Sequence, residues 1–457
     1  MIGNIGLFVA IAVLIWMAMR GFNVVVAALF CSLIIAFSND LVVSKTLLEY
    51  FPFGPLGAFT FAGKFFLLFL CGAIFGKVMG VSMAANSIAQ VITQRLGSQR
   101  VIWITMIVCA LLTYGGVVTF VVIFTMYPLG VTLMREANLP KRLFGSAVAL
   151  GAGTFTMTAL PGSPSIHNVI ASTALGTDLF AGAWIGILAS VIMVVLGMAY
   201  LQREWTLAKL KGEGFEANAQ DLSMEKIADN LTNVPSFRVA CIPILAVFGM
   251  ILMPRLFMMM GVGVDDGVLG KIVGYSLQQP IIWPSFALVV GTVISILLFP
   301  ILRRKFVSII GQGADDSIMP LLSTAAVIGF GGVVIQTAGF AQFSTWILGL
   351  DLPPLLSVVV SVSVVSGIVG SSSGGLQIFM QTFAPVYLER GVEPEILHRL
   401  ANIAAGGLDS LPHCGAIIAM LMVMGLTHKQ AYKDVFVVTV VIPIIAVLVS
   451  VAALSWI

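Results

Sequence analysis

Residues 435–456, VFVVTVVIPIIAVLVSVAALSW, run for 22 positions without a charged side chain. A helix of about 20 such residues crosses the hydrocarbon of a bilayer. Only helices and closed barrels satisfy every backbone group at that depth. Comparable runs recur at 2–19, 23–38, 56–79, 179–201, 238–254, 283–301 and 318–338. Charged residues make up 9% of the 457, where a soluble domain carries roughly 25%. The sequence therefore predicts an all-α polytopic membrane protein. The first run is followed by Arg20 and lacks both a preceding basic region and a small-residue cleavage site, so it reads as a span, not a removable signal. A net charge of +3 without any block of like charges argues against a nucleic-acid partner. Cys31, Cys71, Cys109, Cys241 and Cys414 lie in apolar surroundings without CxxC spacing, which reads as buried thiols and not as disulfides or metal ligands.

Four apolar regions, 101–136, 142–176, 354–388 and 396–426, are interrupted by Gly, Pro and Ser. VIWITMIVCALL (101–112) is too short to cross before TYGGV (113–117) turns the chain. Lys and Arg cluster at Arg20, Arg95/Arg100, Arg135–Arg142, 203–226, Arg303–Lys305 and Lys429/Lys433. Placing all of these in the cytoplasm puts both termini outside and requires 101–136 and 354–388 to be re-entrant hairpins. Non-helical backbone at membrane depth needs protein or a water-filled cavity around it, so the tips TYGGV and GSSSGG (370–375) are expected in a buried polar site.

Three motif pairs recur in order: IFGKVMGVSMAANSI (74–88) with GFGGVVIQTAGFAQF (329–343), YGGVVTF (114–120) with SGGLQIF (373–379), and ALPGSPS (159–165) with SLPHCGA (410–416). This predicts two inverted repeats, 1–202 and 237–457, joined by a polar cytoplasmic linker at 203–236. Each would hold one hairpin and one broken helix, an architecture of secondary transporters. The segments 82–96 and 339–349 read as interfacial helices joining a moving domain to a static one.

Pro161 and Pro164 break the first helix, leaving carbonyls on one arm and positively polarised amides on the other. Gly162 lies between them, Ser163, Ser165, His167 and Asn168 add donors, and Thr158 offers a hydroxyl or carbonyl. A simple kink with locally bonded polar groups is the competing reading. In the second break stand Ser410, Pro412, His413 and Cys414, preceded by Asp409, the acid that the hydropathy places well inside a span. An ionisable group there is a functional candidate. Four residues apart, Asp409 and His413 are candidates to share the coupling proton; a structural pair is the alternative. At the tips, Gly115, Gly116, Gly374 and Gly375 permit tight turns with anion-binding amides. Thr113, Tyr114, Ser371, Ser372, Ser373 and Gln377 supply polar groups suited to a hydroxylated carboxylate. Lys64 and Lys77 read as interfacial or snorkelling, and His398 and His428 as span-end residues in polar surroundings without a role.

No GxSxG, HExxH, Walker A or GxGxxG stands in a strand-to-helix context, which speaks against an enzyme. LTYGGVVTFVVIFTMYPLG, REANLPKRL, TFTMTALPGSP and GGLDSLPHCGAIIAMLMVMGLTHKQAY together resemble the gluconate permease (GntP) family of the ion transporter superfamily, over nearly the whole chain. That resemblance implies proton-coupled uptake of gluconate or a related hydroxyacid such as 3-hydroxybutyrate, without a cofactor. It further implies a homodimer in a bacterial inner membrane, with a scaffold and an elevator-like transport domain. Family motifs fall on Gly115, Gly116, Pro161, Ser163, Ser373, Gly374, Gly375, Asp409, Pro412 and His413; Cys414 stands where a more polar residue is the family expectation. Sodium coupling of a short carboxylate is the alternative mechanism, and a channel or ligand sensor the alternative class.

Overall fold

A computed structural model describes residues 2–97, 100–117, 119–218, 221, 234–263 and 267–456. The described residues are helical with irregular connections. In the first half these are α1 (Ile2–Met19), α2 (Val24–Ser38), α3 (Ala58–Val81), α4 (Ala84–Leu96), α5 (Val101–Tyr114), α6 (Thr119–Ala137), α7 (Lys141–Gly153), α8 (Ile166–Leu175) and α9 (Ala183–Leu210). The second half holds α10 (Phe237–Met259), α11 (Gly267–Gln278), α12 (Ile282–Leu298), α13 (Phe306–Val334), α14 (Ala338–Leu348), α15 (Pro354–Val369), α16 (Ser372–Thr382), α17 (Pro394–Leu408) and α18 (Gly415–Met424). It closes with α19 (His428–Phe436), which runs through one π-turn into α20 (Ile442–Leu454).

By length and composition α3, α9, α10, α13 and the continuous His428–Leu454 can each cross a bilayer. The arms α5, α8, α15 and α18 are apolar but shorter. At 14 residues, α5 reaches only about 21 Å at 1.5 Å per residue, against roughly 30 Å of hydrocarbon. Large apolar side chains on outer faces, Phe8, Phe37 and Leu297 among them, are exposed, as lipid contact requires.

Packing partners recur in matching pairs. Helix α1 lies on α2 as α10 lies on α12; α2 meets α13 as α12 meets α3. Likewise α5 packs on α7 as α15 packs on α17, and α6 meets α18 as α16 meets α8. Between the halves, α3 and α13 form the most extensive seam. Glycines make it close: a Cβ on Gly313 would stand 2.8 Å from the Ile74 Cα, and one on Gly329 would stand 3.0 Å from the Ala58 Cβ.

Three features differ from the sequence reading. The span expected at 318–338 begins at Phe306, because a long helix tolerates Asp315 and Asp316 where a hydropathy window does not. Asp316 is ion-paired with Lys77 at 3.0 Å, so Lys77 is anchored to a partner helix. Helix α11, which no apolar run announced, precedes α12 at a 111° bend. Finally, α9 extends to Leu210, so 203–210 is helical, and part of the remaining segment docks. Asp221 is buried, bonded to Lys141 and the Tyr127 hydroxyl; Lys226 lies outside the described residues.

Arg142, at the start of α7, binds both oxygens of Glu213 (2.6 and 2.8 Å) and also Asp434. The Arg142 guanidinium holds the Glu213 carboxyl below its usual range. Stability from this pair is therefore present above the unfolded glutamate pKa and lost as pH falls through the depressed folded value. Because the Glu213 side chain is 37% exposed, Glu213→Gln should cost less than about 1 kcal/mol near neutral pH. In thermal melts the difference from the parent should begin to shrink below the unfolded glutamate pKa of about 4.3 and vanish once the pH is below the depressed folded value. A gap that persists there would contradict this account.

Candidate functional site

The first break begins where Thr154 leaves helical geometry (φ −121°, ψ −105°) after α7. One turn, Phe155–Thr158, precedes the irregular residues 159–165. Ser165 then caps α8: its oxygen accepts from the Asn168 amide (3.4 Å) while its hydroxyl donates to the Met157 carbonyl (2.8 Å). Gly162 has φ +78°, and any Cβ there would strike the Phe180 ring. Its N–H donates to Leu179 (2.9 Å). Gly162→Ala should therefore cost about 1–3 kcal/mol, visible as a lower melting temperature in detergent; an unchanged melt would rule out the strain.

The carbonyls that the sequence left free here already accept hydrogen bonds. Pro161 accepts from the Tyr114 hydroxyl of the first hairpin tip (2.8 Å), and Leu160 and Ser163 accept from Asn168 Nδ2 (3.3 and 3.0 Å). Thr158 donates its hydroxyl to Thr154 (3.1 Å). The side chains without a protein partner are instead Ser163, His167 at both ring nitrogens, and Ser172, all buried. Thr113 and Ser366, on the first arms of the two hairpins, are also buried without partners. Buried polar groups are normally hydrogen-bonded, so this set points to a polar ligand or water.

The second break starts inside α17, where Gly406 departs from helical geometry (φ −87°, ψ 20°). Asp409 is 7% exposed. Its carboxylate accepts from the Ser410 hydroxyl (3.1 Å) and lies against the hydroxyl and backbone amide of Ser372. Ser372 opens α16, so the acid sits at the positive end of that helix. His413 does not bond Asp409; its Nε2 donates to Gly367 (3.1 Å), before the second tip. Gly370 (φ +65°) leaves room for that ring. His413 thus ties hairpin to break, and the four-residue spacing does not bring it onto Asp409 as in a helix, because the helix ends at Leu408. The Ser410 and Pro412 carbonyls accept from Tyr432 (3.0 Å) and His428 (2.8 Å), which gives His428 a partner at the break. Cys414 is buried and precedes α18.

The first tip lies between its own break and helices α10 and α12. A Cβ on Gly116 (φ +94°) would come 2.6 Å from Leu288 and 3.1 Å from Pro164, and one on Gly115 2.9 Å from Ile244. Ser371 caps α16 by accepting from Gly374 (3.2 Å) and lies 3.4 Å from the Ser373 hydroxyl. Gly375 lies against Ser366 and Gln377 is buried on α16. The two breaks cross at Thr158: a Cβ on Gly406 would stand 2.7 Å from its methyl group.

A further cluster escaped the sequence reading. Arg399 is wholly buried on α17 and donates to the carbonyls of Ala159 (3.1 Å), Leu179 (3.1 Å) and Ala181 (2.9 Å) and to Asn168 Oδ1 (2.9 Å). Asn168 Oδ1 also accepts from Asn402 (3.0 Å) and His398 (3.4 Å), and His398 Nδ1 meets the Thr177 hydroxyl at 2.7 Å. His398, read as a span-end residue without a role, is completely buried and bonded within this cluster. The signal was HRLAN (398–402), where His398, Arg399 and Asn402 put three polar or charged side chains at helical spacing ahead of an apolar stretch.

Comparison with known proteins agrees with this architecture. The profile of the GntP family permeases matches residues 3–457. An uncharacterized transporter of Bacillus subtilis, YxjC, is 34% identical over 95% of both chains. The high-affinity gluconate transporter of Escherichia coli is 24% identical over 60% of this chain and 58% of its own. Two solved structures share the fold: the Alcanivorax borkumensis YdaH transporter, with TM-score 0.51 and 13% identity over 86% of both chains, and Neisseria gonorrhoeae MtrF, an antimetabolite efflux pump, with TM-score 0.50 and 12% identity over 91% of this chain and 84% of that one. The chain belongs to the GntP permease family.

Proposed function

We propose that this protein is a secondary active transporter that imports gluconate or a related small hydroxylated carboxylate together with protons. The carrying observation is Asp409, a buried carboxylate between a broken helix and a hairpin tip, held by Ser410 and Ser372. A carboxyl in that setting can take up and release a proton while its neighbours rearrange. The partnerless hydroxyls and imidazole of Thr113, Ser163, His167, Ser172 and Ser366 supply donors for a hydroxylated anion. The name of the Escherichia coli relative supports gluconate as the first compound to try.

The same proposal takes 1–202 and 237–457 as inverted repeats, with 203–236 between them and both termini outside. The recurring helix pairs and the short first arms of the two hairpins, α5 and α15, support it. An elevator-like transport domain, a homodimer and a bacterial inner membrane complete the reading. Purified protein in liposomes, supplied with labelled gluconate or 3-hydroxybutyrate, should accumulate one of them under an inward pH gradient. Accumulation driven only by sodium would replace the proton with Na⁺, and non-saturating flux indifferent to both gradients would favour a channel.

A further inference from the structure

Among the described residues, six charged side chains are buried: Lys141, Glu204, Asp221, Arg399, Asp409 and Asp434. Four belong to ion-paired clusters around the start of α7, where Lys141 meets Asp221, and Arg142 meets Asp434 and Glu204. The remaining two have opposite signs and lie one at each break. Ten residues separate them on α17, about 15 Å at 1.5 Å per residue, so Arg399 and Asp409 do not pair.

Arg399 has no described carboxylate at ion-pair distance. Asp178, whose charge it feels, is engaged by Arg255 at 2.5 Å. Four neutral oxygens hold the guanidinium, and glycines make space for it. A Cβ on Gly182 would stand 2.7 Å from the Arg399 Cβ, and one on Gly186 would stand 3.0 Å from its Cδ. Tyr114, which bonds Pro161, also lies within reach of its charge. Dipoles satisfy the hydrogen bonds of a buried cation but leave its net charge in place, and in a low-dielectric interior that charge attracts anions over several ångströms.

We propose that Arg399 is a positioning residue whose charge, held by neutral oxygens and not by a carboxylate at ion-pair distance, makes the buried polar core around the first break selective for an anion, while its fork holds that break in shape. This rests on the transport reading above and extends it to charge balance. With Asp409 ionised, the pair Arg399 and Asp409 sums to zero. A bound monocarboxylate would leave the core at −1, and one cation entering with it restores neutrality. The cycle should therefore carry one cation per monoanion and move no net charge.

The test uses the full chain in liposomes, labelled gluconate as probe, and neutral gluconamide as competitor. Arg399→Gln should raise half-saturation for gluconate about tenfold or more and bring the preference for gluconate over gluconamide close to one. Arg399→Lys, which keeps the charge, should retain the preference within about threefold even if it melts lower. Accumulation by the parent at fixed pH gradient should be unchanged when a potassium–valinomycin potential is imposed. A monodisperse Arg399→Gln protein with the parent's anion preference overturns the proposal. Should that variant not fold, loss of the preference in Arg399→Lys overturns it equally, as does potential-dependent accumulation by the parent. If the parent carries neither gluconate nor 3-hydroxybutyrate, the transport reading itself fails; if it carries one and only the variants disagree, this inference alone falls.

Discussion

Asp409→Asn should abolish accumulation while sparing exchange. Asparagine keeps the size of the side chain and an oxygen for the Ser410 hydroxyl, so the contact of the second break with α16 survives. What it removes is the group that can change charge. A pH gradient of two units coupled to one proton per anion supports about 100-fold accumulation, since each unit is a factor of ten in the driving ratio. For the variant the ratio of internal to external substrate should fall to about one, the value without coupling. Counterflow, in which labelled substrate enters against unlabelled substrate inside, needs no net proton movement and should persist. Parent-like accumulation by Asp409→Asn would remove this carboxylate from the coupling role.

Asn168→Ala should be among the most damaging single changes to stability. Its oxygen accepts from Arg399, Asn402 and His398, and its nitrogen donates to Leu160 and Ser163. A hydrogen bond to a charged group contributes about 1.5–3 kcal/mol, and a buried donor left unmade costs its full desolvation. Truncation deprives a buried guanidinium of one acceptor and unlaces two turns of the break, so the expected loss is about 3–5 kcal/mol. It should appear as a depressed melting temperature in detergent together with lost transport. Asn402→Ala makes the control. Its Nδ2 donates to Asn168 while its Oδ1 has no partner, so that change should cost only about 1 kcal/mol. Equal effects from the two would mean that the acceptor role of Asn168 is not what holds the break.

Those residues also mark where sequence reasoning reaches and where it stops. Spans such as Ile2–Met19 and Val24–Ser38 were legible almost to the residue, because the bilayer imposes one length and one polarity. Breaks and tips were legible too, since Pro161, Pro412 and paired glycines change backbone chemistry locally. Partnerships across more than 200 residues were not. Nothing near Arg399 in the chain says that its acceptors are Ala159, Asn168, Leu179 and Ala181. The spacing of Asp409 and His413 suggested a bond that the backbone turn prevents. Helix α11 escaped because its 12 residues mix apolar and polar side chains, so no hydropathy run marks it.

The seam between α3 and α13 has its own consequence. At Gly313 the main chain of Ile74 on the facing helix is too near to admit even a methyl group, so at that point no flexible side chain of α13 cushions the contact. Relative sliding there would have to climb over main-chain bumps one residue at a time. A glycine contact this close resists relative displacement of the two long rods at that point.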